Sequence, residues 1–160
     1  MKVEFGCGNK PSKKNYKTCD IRNLPGIDFV CPAWEIDKYV PTNSVDEIYS
    51  RHFFEHLTFA QGERLVKIWF KILKPSGICK IIVPNLEFHL QQFLTKTNLD
   101  HARAGLWGWQ RESDNSNWDL HKSGYDEESL MILFLKNGFI NPQRRKKHSM
   151  HLYMFFTKPI

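Results

Sequence analysis

A nearly continuous apolar run at positions 78–83 constrains the fold of this chain more than any other feature. It follows a segment, residues 60–73, in which Leu65, Ile68, Trp69 and Ile72 recur at the spacing of one helical face, and a Lys-Pro-Ser-Gly sequence separates the two. A strand that is apolar on both sides is typical of a sheet with helices on both faces. The pair of elements therefore predicts an α/β protein with a parallel sheet.

Further strand candidates lie on either side of this pair. We predict strands at 3–5, 18–21, 27–30, 45–50 and 150–157, and a last helix at 126–136 that ends before Gly138. Alternating strands and helices predict a doubly wound sheet, in which a ligand binds beyond the carboxyl ends of the strands.

The length and composition predict one folded domain over residues 1–160. No apolar stretch approaches the roughly 20 residues of a membrane-spanning helix, so we expect no membrane association. The four cysteines are far apart and include no C-x-x-C motif, which predicts reduced, mostly buried thiols. Together these features favour a soluble cytoplasmic protein.

Two glycines and a carboxylate follow the first two predicted strands. Gly6 and Gly8 come directly after the strand at 3–5, where the absence of a Cβ lets backbone amides approach a ligand. Asp20 stands at the end of the next strand, where a carboxylate accepts hydrogen bonds from both hydroxyls of a ribose. A G-x-G sequence alone is as often a tight turn, but the acid at the next strand end favours a nucleoside site.

These residues belong to a series of motifs that covers most of the chain. The series comprises Val3-Glu4-Phe5-Gly6-Cys7-Gly8, Cys19-Asp20-Ile21, Val45-Asp46-Glu47-Ile48, Phe54-Glu55-His56-Leu57 and Leu73-Lys74-Pro75-Ser76-Gly77. In this order they resemble the class I S-adenosylmethionine-dependent methyltransferases. The resemblance implies a Rossmann-like, mostly parallel sheet with an antiparallel C-terminal strand, and S-adenosylmethionine (SAM) as cofactor.

The resemblance also implies which residues bind the cofactor. The segment Phe5, Gly6, Cys7 and Gly8 would hold the methionine and ribose end, and Asp20 would bind the ribose. Ile21 would pack on the adenine, with Pro32, Ala33 and Trp34 at the adenine edge, and Ser50, Arg51 and His52 would face the methionine and methyl end.

The chain departs from the family pattern in two places. Lys10 replaces the usual third glycine, and only 11 residues separate Gly8 from Asp20, so the first helix should be shortened or lost. Cys31 and Pro32 stand where relatives often carry an Asp, so adenine recognition should depend on backbone groups. We expect either a more open site, or a site closed by the tryptophan-rich segment or by a partner subunit, such as a second copy in a homodimer.

Methyl transfer needs a base only when the acceptor loses a proton. His52 and His121 are the candidate bases because histidine titrates near neutral pH, although each is as readily a structural histidine. Glu55 and His56 are expected to support the helix and the site-lining residues without contacting the ligands themselves.

We expect a small metabolite or glycan as acceptor, held between His52, Asn85 and residues 105–121. Of Trp107, Trp109 and Trp118 we expect at least one in the core and the others on the acceptor pocket, with Asp114 and Asp119 as weaker candidates for binding acceptor hydroxyls.

Two other functions compete with this interpretation. His52, Glu55 and His56 spell H-x-x-E-H, a zinc-hydrolase motif with two histidines one helical turn apart. Such a site needs a third ligand and a larger cleft, and the methyltransferase resemblance already accounts for the Glu-His pair, so we favour no metal. The net charge of +6 includes four charges from residues 144–147, which allows but does not favour a nucleic-acid partner for a non-catalytic, cofactor- or RNA-binding module.

Overall fold

A computed structural model describes residues 1–110, 117–145 and 149–160. Within this part of the chain seven strands form a single sheet with the order β3-β2-β1-β4-β5-β7-β6. The strands are β1 (Lys2–Phe5), β2 (Lys17–Asp20), β3 (Phe29–Val30), β4 (Val45–Arg51), β5 (Leu73–Pro84), β6 (Ile140–Arg144) and β7 (His151–Thr157).

The first five strands are parallel, whereas β7 runs antiparallel to both β5 and β6. In the register, Phe5 lies beside Cys19 of β2 and beside Ser50 of β4, so the carboxyl ends of three strands meet at one edge. The chain order reverses between β1 and β4, which is where an open α/β sheet forms its binding crevice. The predicted α/β fold with an antiparallel C-terminal strand is confirmed.

Four α-helices accompany the sheet in the described residues: α1 (Phe59–Ile72), α2 (Leu86–Leu94), α3 (Leu99–Trp107) and α4 (Glu127–Leu135). Short 3₁₀ helices cover Ala33–Lys38, Phe54–His56 and Asn117–Asp119. Helix α1 begins at a capping box in which Thr58 and Gln61 exchange hydrogen bonds, and it ends where the Lys-Pro-Ser-Gly sequence was expected to stop it.

Aromatic rings join α1 and α4 to one face of the sheet. Trp69 of α1 is fully buried, and its ring centroid lies 5.2 Å from that of Phe5 and 5.6 Å from that of Phe54. Phe134 of α4 stacks on Phe156 of β7 with centroids 4.0 Å apart. These contacts hold the first strand, and with it the glycine-bearing bend, against a rigid core.

A loop takes the place of a helix between β1 and β2. Residues 6–16, all within the described part, contain no helix, as the short spacing predicted. Glu4 is 2% exposed, and its carboxylate accepts hydrogen bonds from the backbone N–H groups of Ser12 (2.8 Å) and Lys13 (3.0 Å). The loop then packs on the sheet face opposite α1 through Tyr16, whose ring meets that of Tyr49 edge-on. One buried carboxylate thus replaces the anchoring that a helix would give.

Several elements were not predicted from the sequence. Helices α2 and α3, strand β6 and the 3₁₀ helix at Ala33–Lys38 are new, and β3 is shorter than the strand expected at 27–30. The described residues include no helix that could cross a membrane. All four cysteines are free, and three of them are buried.

The basic block at 144–147 is only partly described. Arg144 ends β6 and pairs with Glu127 at 2.5 Å, and the Arg145 guanidinium lies 5.7 Å from the ring centre of Tyr153. Lys146 and Lys147 lie outside the described residues. Both described arginines therefore have partners within the protein itself.

We predict that Glu4→Gln destabilises the protein by about 2 kcal/mol, because an amide keeps only one acceptor oxygen and turns an NH₂ group toward one of the two part-buried backbone N–H donors. Urea unfolding measures this loss. The matched control is Glu128→Gln, an exposed position that should change the free energy of unfolding by less than about 0.5 kcal/mol. Equal stability of the two variants would show that Glu4 does not anchor the loop.

Candidate functional site

The glycine-bearing bend and the carboxylate predicted to form a nucleoside site face each other. Gly6 and Gly8 both have positive φ angles, +65° and +58°, so the chain turns sharply at the end of β1. The Gly6 N–H donates to the carbonyl of Cys19 (2.9 Å), and the Gly8 N–H donates to Oδ2 of Asp20 (2.9 Å). The Asp20 side chain is therefore turned toward the bend.

Arg22 occupies the remaining hydrogen-bonding capacity of Asp20. Its backbone N–H and its Nε donate to Oδ1 at 3.0 and 3.1 Å, and Nη2 donates to Oδ2 at 3.3 Å. Burial by itself would raise the pKa of Asp20, but the hydrogen bonds from Arg22 and Gly8 outweigh it and leave the pKa below its ordinary value. Asp20 is thus an ionised carboxylate on the cavity wall at neutral pH.

A cavity of about 190 Å³ opens beside these groups, and we call it the glycine-loop cavity. Six of the predicted cofactor-binding residues line it: Gly6, Asp20, Ile21, Pro32, Ala33 and Trp34. His52 also lines it, from the end of β4. The sheet therefore brings together residues from the ends of four strands that the sequence had separated by up to 46 positions.

The other predicted cofactor-binding residues do not line this cavity. The side chain of Phe5 is fully buried against Trp69 and that of Ser50 is fully buried, whereas Arg51 is exposed. Gly8 reaches the site through its N–H bond to Asp20. Cys7 is partly buried, and burial together with the charges of Asp20 and Glu4 raises the pKa of its thiol to about 11.

Phe53 explains why position 6 must be glycine. A Cβ on Gly6 would lie 2.3–2.4 Å from three atoms of the Phe53 side chain, which is too close for any side chain at position 6. Phe53 also lines the glycine-loop cavity. The bend is therefore constrained both by its positive φ and by an aromatic neighbour that the motif did not reveal.

A second cavity of about 330 Å³ adjoins the first and shares His52, His56 and Asp119 with it. Six of the seven histidines of the chain line it, so we call it the histidine chamber. They are His52, His56, His89, His101, His121 and His151. Glu55 and His56 line the chamber directly, which corrects the expectation that they only support the site from behind.

His52 lies at the junction of the two cavities. It has a positive φ of +48°, and its Nδ1 lies 3.3 Å from Oε1 of the buried Glu55. Its ring centroid is 4.7 Å from that of His151. A carboxylate beside Nδ1 favours the tautomer with the proton on Nδ1, so that Nε2 is free to accept a proton.

His56 and His121 are each oriented by a backbone carbonyl. The Nδ1 of His56 lies 3.0 Å from the carbonyl oxygen of Leu120, and the Nδ1 of His121 lies 3.0 Å from that of Gly105. Because a carbonyl only accepts, Nδ1 carries the proton in both rings and Nε2 keeps its lone pair. Burial lowers the pKa of His121 despite the opposing charge of Glu55, and burial also lowers the pKa of His89.

The tryptophans differ from the expectation that at least one belongs to the core. Trp107, Trp109 and Trp118 are 47%, 57% and 50% exposed. Trp118 lines the glycine-loop cavity and Trp109 the histidine chamber, whereas Trp107 packs edge-on against Phe93. Trp107 is the last residue of α3, and Trp118 lies in a three-residue 3₁₀ helix that contains no buried residue, so neither indole lies on a face that packs into the core.

Two acceptor-binding candidates have different outcomes, and a third is not described. Asn85 does not line either cavity, because its amide donates to the carbonyl of Ser149 (2.8 Å) and ties the end of β5 to the segment before β7. Asp119 lines both cavities. Asp114 lies outside the described residues.

The H-x-x-E-H sequence does not form the helical motif that its spacing suggested. Residues 54–56 form a single 3₁₀ turn, and His52 precedes it in a left-handed conformation, so the two histidines do not share a helix face. The side chains that do converge are Glu55, His56 and His121. The H-x-x-E-H motif therefore contains two of these three residues, but its third residue is His52 rather than His121.

Sequence reasoning missed Arg22, Phe53 and three chamber histidines, His89, His101 and His151. Arg22 follows Asp20 in a loop, where no periodicity marks a side chain that folds back on its neighbour. The three histidines come from α2, α3 and β7, and two of these elements were not predicted.

No family model matches the chain, and no curated protein matches its sequence. Solved structures do match. A SAM-dependent methyltransferase from Archaeoglobus fulgidus superposes with a TM-score of 0.67 at 16% identity, covering 98% of this chain and 85% of its own.

Two further matches are of the same kind. A SAM-dependent methyltransferase from Methanosarcina mazei has a TM-score of 0.66 at 12% identity, covering 99% of this chain and 92% of its own. The 1,6-didemethyltoxoflavin-N1-methyltransferase of Burkholderia thailandensis was solved with bound 1,6-didemethyltoxoflavin and S-adenosylhomocysteine. It has a TM-score of 0.64 at 16% identity, covering 99% of this chain and 71% of its own. The chain therefore has the fold of the class I SAM-dependent methyltransferases.

Proposed function

We propose that this protein is a SAM-dependent methyltransferase whose acceptor is a small molecule held in the histidine chamber. The observation that carries the proposal is the convergence of the Gly6–Gly8 bend and the Asp20 carboxylate on one open cavity. The fold supports it, because structures with the same fold are SAM-dependent methyltransferases. Fold alone does not assign an activity, so the proposed activity rests on the residues of the site.

The residues present fit the cofactor at its ribose end. Asp20 would accept hydrogen bonds from the two ribose hydroxyls, and Ile21 and Pro32 would contact the adenine through apolar surface. The backbone at Gly6 and Gly8, where no Cβ intervenes, would approach the methionine end. SAM supplies an activated methyl group, so the protein has to bind the donor and align the acceptor with it.

Arg22 must leave Asp20 for the ribose to bind. The cavity of about 190 Å³ is smaller than the roughly 300–1,000 Å³ of ordinary ligand pockets, and the Arg22 side chain forms part of its wall. That side chain is 42% exposed, so it can turn into solvent without crossing the core. We therefore propose that Arg22 neutralises the buried carboxylate in the free protein and gives way to the ribose.

The acceptor would approach the methyl group from the histidine chamber. His52 is the residue that lines both cavities and also has a carboxylate beside its Nδ1, so we propose it as the base that removes a proton from the acceptor. His121 lines only the chamber, which places it nearer the acceptor than the donor. A chamber of about 330 Å³ suits a small metabolite or a sugar unit.

An RNA-binding module is less well supported. Arg144 already pairs with Glu127, so the described part of the basic block offers phosphates only the Arg145 guanidinium, which lies over the ring of Tyr153. A cytoplasmic location is also a proposal, supported by the free cysteines.

The first test is calorimetric titration with S-adenosylhomocysteine. We expect one molecule to bind, and Asp20→Ala to weaken binding by about 100-fold or more because two hydrogen bonds to a charged group are lost. Asp100→Ala, at an exposed aspartate on α3, is the matched control and should keep the affinity. Absence of binding by the unaltered protein would contradict the proposed cofactor.

Arg22→Ala should have the opposite effect on the same titration. Removing a competitor for the Asp20 carboxylate should raise the affinity by up to about fivefold, the equivalent of the roughly 1 kcal/mol of a half-exposed ion pair. The cofactor-free variant should also unfold at a lower temperature than the unaltered protein, because its buried carboxylate has lost a cation. A lower affinity in Arg22→Ala would mean that Arg22 binds the cofactor rather than yielding to it.

The acceptor class is tested with methyl-labelled SAM and a cell extract separated into small-molecule, RNA and protein fractions. We expect label in the small-molecule fraction, and at least tenfold less with His52→Asn if the acceptor must lose a proton. Label only in RNA or protein would contradict a small acceptor. Cofactor binding without label in any fraction would indicate a non-catalytic module.

A further inference from the structure

Three potential metal ligands meet on the wall of the histidine chamber. Glu55, His56 and His121 each offer one ligand atom, and these atoms lie within 4.8 Å of one another. Two of the residues belong to the 3₁₀ turn after β4, and the third lies 65 positions after His56, in the segment before α4. The proposed mechanism uses Glu55 through its contact with His52, but it gives the three residues no joint task.

Backbone hydrogen bonds hold the two segments together. The carbonyl of Glu55 accepts the N–H groups of Lys122 (2.8 Å) and Ser123 (3.1 Å), directly after His121. The His121 N–H donates in turn to the carbonyl of Trp107 (3.2 Å). The ligand-bearing residues are thus fixed by main chain rather than by each other, as a preorganised site requires.

The carboxylate of Glu55 is short of partners. Its side chain is 2% exposed, its Oε2 is buried without a hydrogen-bond partner among the described residues, and its Oε1 has only the Nδ1 of His52 at 3.3 Å. A buried carboxylate in this state costs free energy unless a cation or a proton compensates it. No lysine or arginine is paired with it in the described part of the chain.

The two imidazoles have the orientation of metal-bound histidines. In both rings the Nδ1–H donates to a backbone carbonyl, which leaves the Nε2 lone pair available. Such a hydrogen bond on the far nitrogen is the usual support of a histidine that binds a metal, because it fixes the ring and raises its basicity.

We propose that Glu55, His56 and His121 bind a divalent transition-metal ion of the zinc type. Two imidazoles and one carboxylate suit such an ion and leave coordination positions open toward the chamber. Mg²⁺ and Ca²⁺ are poor candidates because they prefer oxygen ligands, of which this cluster offers only one residue. The ligand set differs from the H-x-x-E-H motif, since it excludes His52, and it replaces the expectation of no metal.

The proposal that these residues bind a metal does not require the protein to be a methyltransferase, whereas the role of the metal rests on the proposed function. Open coordination positions in the chamber would hold an oxygen or nitrogen atom of the acceptor next to His52. The ion would act by binding and orienting the acceptor, and it would lower the pKa of a bound hydroxyl so that His52 removes the proton more easily.

The test is Zn²⁺ titration of tag-free, full-length protein that has been treated with a chelator. We expect one equivalent to bind, with Mg²⁺ in large excess unable to compete. Glu55→Gln preserves the shape of the side chain and should weaken Zn²⁺ binding by about 100-fold or more, as should His121→Gln. Co²⁺ should give the visible absorption of a low-coordinate N,O site, lost in both variants.

The matched control is His101→Gln, on the chamber wall but outside the cluster. It should bind Zn²⁺ within about twofold of the unaltered protein. Absence of stoichiometric binding, or equal losses in His101→Gln and Glu55→Gln, would overturn the site.

Titration of Glu55→Gln with S-adenosylhomocysteine separates the two proposals, because cofactor affinity should persist where Zn²⁺ affinity is lost. Retained cofactor binding also shows that the variant is folded.

Discussion

The hydrogen bond from the Gly8 N–H to the Asp20 carboxylate joins the ends of two neighbouring parallel strands, and the rest of the site depends on it. It holds the glycine-bearing bend open over the crevice and keeps an ionised carboxylate on the wall. The sheet order makes this contact available, because β2 lies directly beside β1. The core supports it from below through Phe5 and Trp69, which lock the first strand in place.

The two cavities divide the work of the proposed reaction. The glycine-loop cavity has one strong anion and apolar walls, which suits a nucleoside. The histidine chamber has six imidazoles and one buried carboxylate, which suits an acceptor that must be oriented and deprotonated. His52 belongs to both, so the transferred methyl group would pass close to it. A buried carboxyl group lies on the wall of each cavity, and Arg22 pairs with the one in the glycine-loop cavity.

The sequence predicted the elements that carry strong local signals. The helix at 60–73 has an apolar face, a capping residue and a Pro-Gly stop, and it lies within one residue of the observed α1. The Gly-x-Gly bend and Asp20 could be placed because parallel strands end at one edge of the sheet. The absence of a first helix could be predicted from the short spacing between Gly8 and Asp20. The role of Glu4 in holding the loop that replaces this helix could not.

Other features depend on contacts that local patterns do not contain. The apolar run at 78–83 suggested close cover on both faces, but Ile78 is 36% exposed and Lys80 and Ile82 are only partly buried. The histidine chamber draws on six elements and on connecting segments that are up to 99 residues apart, so its composition appears only after folding. Arg22 and Phe53 lie in loops, and the loop conformations that bring them to the site cannot be predicted from the spacing of apolar residues.

A structure of the protein bound to S-adenosylhomocysteine would show whether Asp20 binds the ribose. We expect both ribose hydroxyls to donate to the Asp20 carboxylate, with the Arg22 side chain turned away from it into solvent. This expectation would be contradicted if Asp20 kept its contacts with Arg22 while the nucleoside bound elsewhere.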